Sequence, residues 1–579
     1  MSESWILVST TEELESSGHR VVQIPGAPIL VLWNDGTPRA IDNRCPHLGF
    51  PLHRGDIKDG LLDCHWHHAR FDISCGATLD PWADDVDCYS VEVRDTEVYL
   101  NPERPRRDPL AWGMDRLSRG LDYSLRLVIA KAILQMDGDS LLPGPALDQA
   151  ARFGATRRES GWAPGLSMLG AMANLAQSLD EPDRNRALVH SIAHIASDCA
   201  GRPPRRPLPA LEGSQRTREG LDAWFRECVE TRDADGAERT LATLVDVHGH
   251  KAALTSVVAA CTDHCYADGG HTLDFAAKCA ELVDHVGKGA TAQVLFTSLV
   301  PQLVGMQRME ETPAWRRPVD VAAMSRKASA SLQAEWFAGE SPVSEEPALV
   351  DLLLGEDPQA TVDVLLQALQ QGTSCVALAE TVVHAATLRV LRFGTANEHS
   401  DWDTVHHTLT YASATAEICR RIPGPVAFRA VLDGAMSVYL DRFLNIPPAR
   451  LPEDMDTTGL PTDPVETLDS LLDLYDGRSD PNRAGLLAWH YLAMDGSPQA
   501  LFATLGTAVL REDADFHMLQ ALELAWRRRD RLGDCTASRR ALAALARWIA
   551  AQLPTRRARE QTFQIASRLT RGEALHSGS

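Results

Sequence analysis

Two short stretches constrain this chain more than any other: Cys45-Pro46-His47 and, after a sixteen-residue spacer, Cys64-His65-Trp66-His67. Each offers one thiolate and one imidazole from a single loop. Two cysteines and two histidines could also bind zinc, but zinc frameworks usually pair like ligands, both cysteines in one half and both histidines in the other. Here each half is mixed. A binuclear [2Fe-2S] centre whose one iron takes both sulfurs and whose other iron takes both imidazoles needs that mixture.

The residues around the two stretches resemble the Rieske family: C-P-H-L-G at 45–49, a spacer, C-x-W-H at 64–67, then Phe71-Asp72 and Gly76 in the trailing turn. The resemblance implies a [2Fe-2S] cluster held by Cys45, His47, Cys64 and His67. Two departures stand out. Many Rieske proteins follow the last ligand with glycine, whereas His68 and Ala69 stand here, so one backbone approach to the cluster is expected to change. The second cysteine pair of the respiratory type is missing from the loops, and Cys75 and Cys88 lie beyond them. The likeness is therefore to the ferredoxin and oxygenase branch, with a potential toward the low end of the Rieske range.

At 579 residues the chain exceeds what one hydrophobic core normally supports, so at least two domains are expected. Short β-rich runs (Trp5 to Val8, Val21 to Ile24, Ile29 to Trp33) alternate with turn signals at Pro25-Gly26 and Asn34-Asp35-Gly36, and Val91 to Val93 and Val98 to Leu100 repeat the pattern. They predict an all-β, antiparallel Rieske domain over 1–101. Asn101 to Pro109 is charged and proline-rich and reads as a linker, taken as 102–112. From 113 to 579 the apolar spacing is helical, broken at Gly269-Gly270, Pro313, Pro342, Pro423-Gly424-Pro425, Pro447-Pro448 and Asp480-Pro481, which predicts a large all-α domain.

The formal charge of −22 argues against a nucleic-acid partner. No apolar run reaches membrane-spanning length, and Met1 to Ser4 lacks the start of a signal peptide. Twelve scattered cysteines point to a reduced cytoplasm. A homo-oligomer is compatible with all of this. No glycine-rich phosphate loop follows a strand, so electrons are expected from a separate ferredoxin or flavoprotein reductase.

Ring-hydroxylating oxygenases join a Rieske domain to a mixed α/β domain with an acid-x2-His-x4-His iron motif, which this chain lacks; His190-x3-His194 is the nearest arrangement, with Asp183 too far upstream. The helical part is instead rich in histidine near carboxylates at helical spacing. His190, His264, His271, His384, His407 and His517, with Glu380 and Asp403, are candidate ligands of a second, non-haem iron site, mono- or dinuclear. The plainer reading is a surface pair or a satisfied buried imidazole, to which His248, His250, His285, His399 and His490 are assigned, and Asp268 and Asp403 could equally be helix caps.

The stretches Thr262 to Asp274, Glu311 to Asp320, Asp401 to Tyr411 and Asp513 to Glu523 resemble a little-characterised group of bacterial Rieske fusion proteins. More faintly, the helical part is similar to questin-oxidase-like proteins, which insert oxygen into aromatic polyketides. The expected function is thus a Rieske-dependent oxidoreductase, a non-haem iron oxygenase using O2 on a small organic molecule. The alternatives are an electron-transfer protein whose helical domain docks a separate oxidase, and a redox sensor.

Overall fold

The computed structural model describes residues 5–103, 108–137, 144–477, 480–571 and 573. Met1 to Ser4, and 104–107 of the expected linker, lie outside the described residues. The chain divides into two compact units. One comprises Met1–Gln149 together with Ala558–Ser579, the other Ala150–Arg557.

The first unit is built on ten strands: β1 (Ile6–Thr10), β2 (His19–Ile24), β3 (Ala27–Asn34), β4 (Thr37–Asp42), β5 (Asp56–Lys58), β6 (Leu61–Asp63), β7 (Arg70–Asp72), β8 (Cys88–Tyr89), β9 (Val91–Arg94) and β10 (Glu97–Leu100). They form three antiparallel sheets, ordered β1-β10-β9, β2-β3-β4-β8 and β5-β6-β7. The Asp35-Gly36 turn joins β3 to β4 with both residues at positive φ, the conformation that a two-residue hairpin requires and that Asp-Gly tolerates. Strand β3 is buried on both faces. Its Leu30 and Leu32 pack with Cys45, Cys64, Leu62 and Phe71, while Ile29 and Val31, pointing the other way, pack with Val8, Leu14 and Val98. Sequence alternation therefore supplies two cores, one of them directly behind the cysteine loops.

A short helix α1 (Thr11–Ser17) carries a capping box in which Thr10 and Glu13 satisfy each other's backbone N–H groups. After the strands come α2 (Pro109–Asp122), capped by Asp108, and α3 (Arg126–Asp137). Arg116 on α2 reaches Asp85 at 2.5 Å. The helix Ala558–Thr570 packs on α3 and completes this unit.

The second unit is all-helical. Four of its helices carry most of the candidate histidines and carboxylates: α4 (His271–Val286), α5 (Cys375–Leu391), α6 (Asp401–Arg421) and α7 (Phe516–Leu532). Helix α4 packs on α6, α5 on α6, and α6 on α7. Close aromatic pairs, Phe502 stacked on Trp526 and Phe393 tilted against Trp402, help fill its core. Among the described residues no helix is long and apolar enough to cross a membrane.

Candidate functional site: a cysteine–histidine loop pair and a three-histidine group

The two cysteine loops have the same backbone. In the first, Cys45 N–H donates to Phe50 O (2.8 Å) and Gly49 N–H returns to Cys45 O (2.7 Å). In the second, Cys64 N–H donates to Ala69 O (2.9 Å) and His68 N–H returns to Cys64 O (2.8 Å). Gly49 sits at φ 75° and its counterpart His68 at φ 61°. Both are left-handed, a region that costs a non-glycine residue free energy. The turn is therefore retained without the usual glycine, and His68 bears the strain while its side chain stays exposed beside Asp63.

These turns aim their N–H groups inward. Those of His47 and Leu48 donate to the Cys45 sulfur, and those of Trp66 and His67 to the Cys64 sulfur. The two thiols are buried and hydrogen-bonded to each other. Sharing that proton pushes Cys45 up and draws Cys64 down to about 6. The imidazoles of His47 and His67 meet edge to face with centroids 4.7 Å apart. Burial, helped by His67 and Lys131, lowers His47 to about 4, so its ring is neutral at physiological pH. His47 Nδ1 is buried with no hydrogen-bond partner. A buried lone pair left unmatched in a loop that also carries a buried thiol fits a [2Fe-2S] group with mixed ligands. The flanking His65 is engaged elsewhere, with Asp56 at 2.8 Å.

In the second unit, three of the candidate histidines converge. A run of left-handed residues, Asp268, Gly269 and Gly270, turns the chain into α4, and Asp268 accepts from Gln307 N–H and from the Thr272 hydroxyl. His271 then opens α4. His407 lies in the second turn of α6, and His517 is the second residue of α7, whose N-cap Asp515 accepts from Met518 N–H. One ring nitrogen from each of the three can be chosen so that all lie within 4.8 Å of one another, and His407 Nε2 is 2.9 Å from His517 Nε2. Phe275 and Phe516 pack against the His271 ring. Burial, reinforced by the other imidazoles, lowers His407 and His517 to about 3 each, and burial lowers His271 as well. Three neutral nitrogens at this spacing could hold a divalent metal.

The remaining candidates are placed elsewhere. His190 Nε2 is 2.9 Å from the Leu510 carbonyl. His264 lies between Glu310 (2.8 Å) and Glu230 (2.9 Å); burial lowers it, but the two carboxylates outweigh burial and raise it. His384 pairs with Glu346 and Arg540, and Glu380 with Arg420 and Arg528. Asp403 is pushed up by desolvation and lies outside the three-nitrogen group. Sequence reasoning misses His406. It is fully buried, stacks on Trp548 at 4.5 Å, lies edge-on to His517 at 5.4 Å and has an unpartnered Nε2. Its only sequence signal is its adjacency to His407.

Residues 4–90 match the family model of the Rieske [2Fe-2S] domain. Apoptosis-inducing factor 3 of Homo sapiens is 31% identical over 98 residues, covering 17% of this chain and 16% of that protein. Aminopyrrolnitrin oxygenase PrnD of Pseudomonas fluorescens is 36% identical over 74 residues, 12% of this chain and 20% of that protein. Ferredoxin CarAc of Metapseudomonas resinovorans is 24% identical over 106 residues, 18% of this chain and 99% of the ferredoxin. The match spans about a sixth of the length of the first of these relatives. With the loop geometry they place the N-terminal part in a known family: residues 4–90 are a Rieske [2Fe-2S] domain, and a large all-helical region follows it.

Proposed function

We propose that this protein is a Rieske-dependent oxidoreductase in which Cys45, His47, Cys64 and His67 hold the [2Fe-2S] cluster and His271, His407 and His517 hold a non-haem iron. The observation that carries the second half is the convergence of three imidazoles from three helices, all kept neutral by burial. When bound, the cluster supplies one-electron transfer and the iron supplies O2 activation toward a small organic substrate. The chain's own residues do the rest. The four loop N–H groups stabilise charge on the two sulfurs, and the neutral His47 offers Nδ1 as a donor. In the helical unit the aromatic rings of Phe275 and Phe516 screen His271 from water, and the low proton affinity of the imidazoles keeps their lone pairs available. Electrons come from a ferredoxin or flavoprotein reductase.

A second reading has its own support. Likeness to a free-standing ferredoxin along nearly the whole of that protein favours an electron-transfer module whose helical unit docks a separate oxidase. Iron analysis separates the two. In the oxygenase reading, cluster-replete protein holds iron beyond the cluster's two atoms, Cys45→Ser loses the cluster iron, and His407→Ala with His517→Ala loses only the remainder. Cluster-replete protein with no further iron, and O2 uptake indifferent to added Fe(II), would sink the oxygenase reading.

A further inference from the structure

Lys131 is a buried cation that the Rieske match does not include, because it lies on α3, beyond residue 90. Its ammonium donates to the Pro46 carbonyl at 2.7 Å and pairs with Asp84. Pro46 stands between Cys45 and His47. Its carbonyl belongs to the peptide whose N–H, that of His47, donates to the Cys45 sulfur. One amide thus joins ammonium to sulfur. A carbonyl that accepts a charge-assisted hydrogen bond makes the N–H of the same peptide a stronger donor. Burial works against the ammonium, lowering it to about 7, while Asp84 supplies the counter-charge in contact.

We propose that Lys131 is a positioning residue that raises the reduction potential of the Rieske cluster, acting through the Pro46–His47 peptide and through its own charge. The inference rests on the ligand assignment above. When bound, the cluster would take one electron from a reduced ferredoxin or flavoprotein, which is oxidised by one electron, with no covalent bond formed or broken; the Cys45 sulfur that would ligate it is already served by the polarised His47 N–H. The device is built from chain outside the β-domain, so the domain's potential is set in part by its helical neighbour within the same unit.

The test is potentiometry at fixed pH on the full chain with its cluster assembled, for wild type, Lys131→Met, Lys131→Gln and Lys131→Arg, with the electron paramagnetic resonance spectrum of the reduced cluster as a check on integrity. The Met and Gln variants should lower the reduction equilibrium constant about tenfold, about 59 mV for a one-electron couple. The Arg variant, which keeps the charge, should stay close to wild type. A structural role alone would change yield or thermal stability and leave the midpoint in place. Intact clusters with unmoved midpoints in Met and Gln overturn the tuning role alone, and if Met fails to assemble a cluster, Gln carries the decision. A wild-type chain that never assembles a [2Fe-2S] cluster overturns the ligand assignment and this inference with it.

Discussion

Metal binding at the three-histidine group should draw almost no protons from His407 and His517 at mildly acidic pH. An imidazole must be neutral to ligate, so metal affinity ordinarily falls as pH drops through the histidine range. An unperturbed histidine, with a pKa of about 6.5, is about three-quarters protonated at pH 6. Two such residues would give up about 1.5 protons on binding a metal. In this fold His407 and His517 are lowered to about 3, first by desolvation and then by neighbouring imidazoles, so at pH 6 about one in a thousand of either ring carries the extra proton. The perturbation is pH, and the assay is isothermal titration calorimetry of cluster-replete protein with Fe(II) or Co(II), run at pH 6 in buffers of different ionisation enthalpy. The slope of observed enthalpy against buffer enthalpy should stay below one proton per metal ion, with any release coming from His271, which burial also lowers. Release of about one proton or more per metal ion would refute the reasoning, because it would mean that the rings are hydrated in solution. The same shifts set a stability trend in metal-free protein. A depressed histidine pKa means that the unfolded chain binds more protons below about pH 6.5, so stability is full above that value and falls by about 1.4 kcal/mol per ring per pH unit toward pH 3.

Three further outcomes are expected. His68→Gly relieves a left-handed residue whose side chain is largely exposed, and should raise stability to chemical denaturation by about 1 kcal/mol or less, after the entropy that glycine adds to the unfolded chain; a loss of stability would show that His68 is not strained. Asp274 is fully buried, accepts from Gln520 through Oδ1, has an unpartnered Oδ2 and is pushed up to about 7 by desolvation, so the folded chain binds more protons than the unfolded one between about pH 4 and pH 7 and stability falls as pH rises through that window. Asp274→Asn should remove up to about 4 kcal/mol of that slope, read as melting temperature against pH; parallel curves for variant and wild type would refute it. Lys278 is buried between Glu281 (2.8 Å) and Glu523 (2.5 Å), so Lys278→Met should cost about 3–5 kcal/mol, and adding Glu523→Leu should recover part of it; a double variant worse than the single would count against a charge-pair origin.

The cysteine loops were legible because their chemistry is local. Cys45 and His47 are two residues apart, Cys64 and His67 three, and a turn of either length brings its pair to one place. The unbroken apolar run of β3 and the Asp35-Gly36 turn are local signals of the same kind. The three-histidine group is not local. His271, His407 and His517 come from helices far apart in the chain, and helical spacing says which face a residue occupies without saying which faces meet. Glu380 and His384 share a face of α5 as their spacing requires, yet their partners Arg420, Arg528, Glu346 and Arg540 come from four other segments. His406 carries little signal because neighbours in a helix diverge by about 100°, so proximity to a candidate argues against a shared role. Lys131 carries no signal at all, since nothing in its helix marks the one side chain that reaches back to Pro46.

The pairing of α3 with the helix Ala558–Thr570 makes the all-helical unit an insertion, since the unit that bears the cysteine loops has chain on both sides of it. A ribosome therefore releases the β-strands and both cluster loops long before it makes the helix Ala558–Thr570 that packs on α3. Closing so long a loop carries an entropic cost that grows only slowly with length, but the order of events is strict. Cluster insertion into the nascent chain would meet α3 without its final partner, whereas a chain cut after residue 557 would keep every loop ligand and lose the helix that packs on the Lys131 segment.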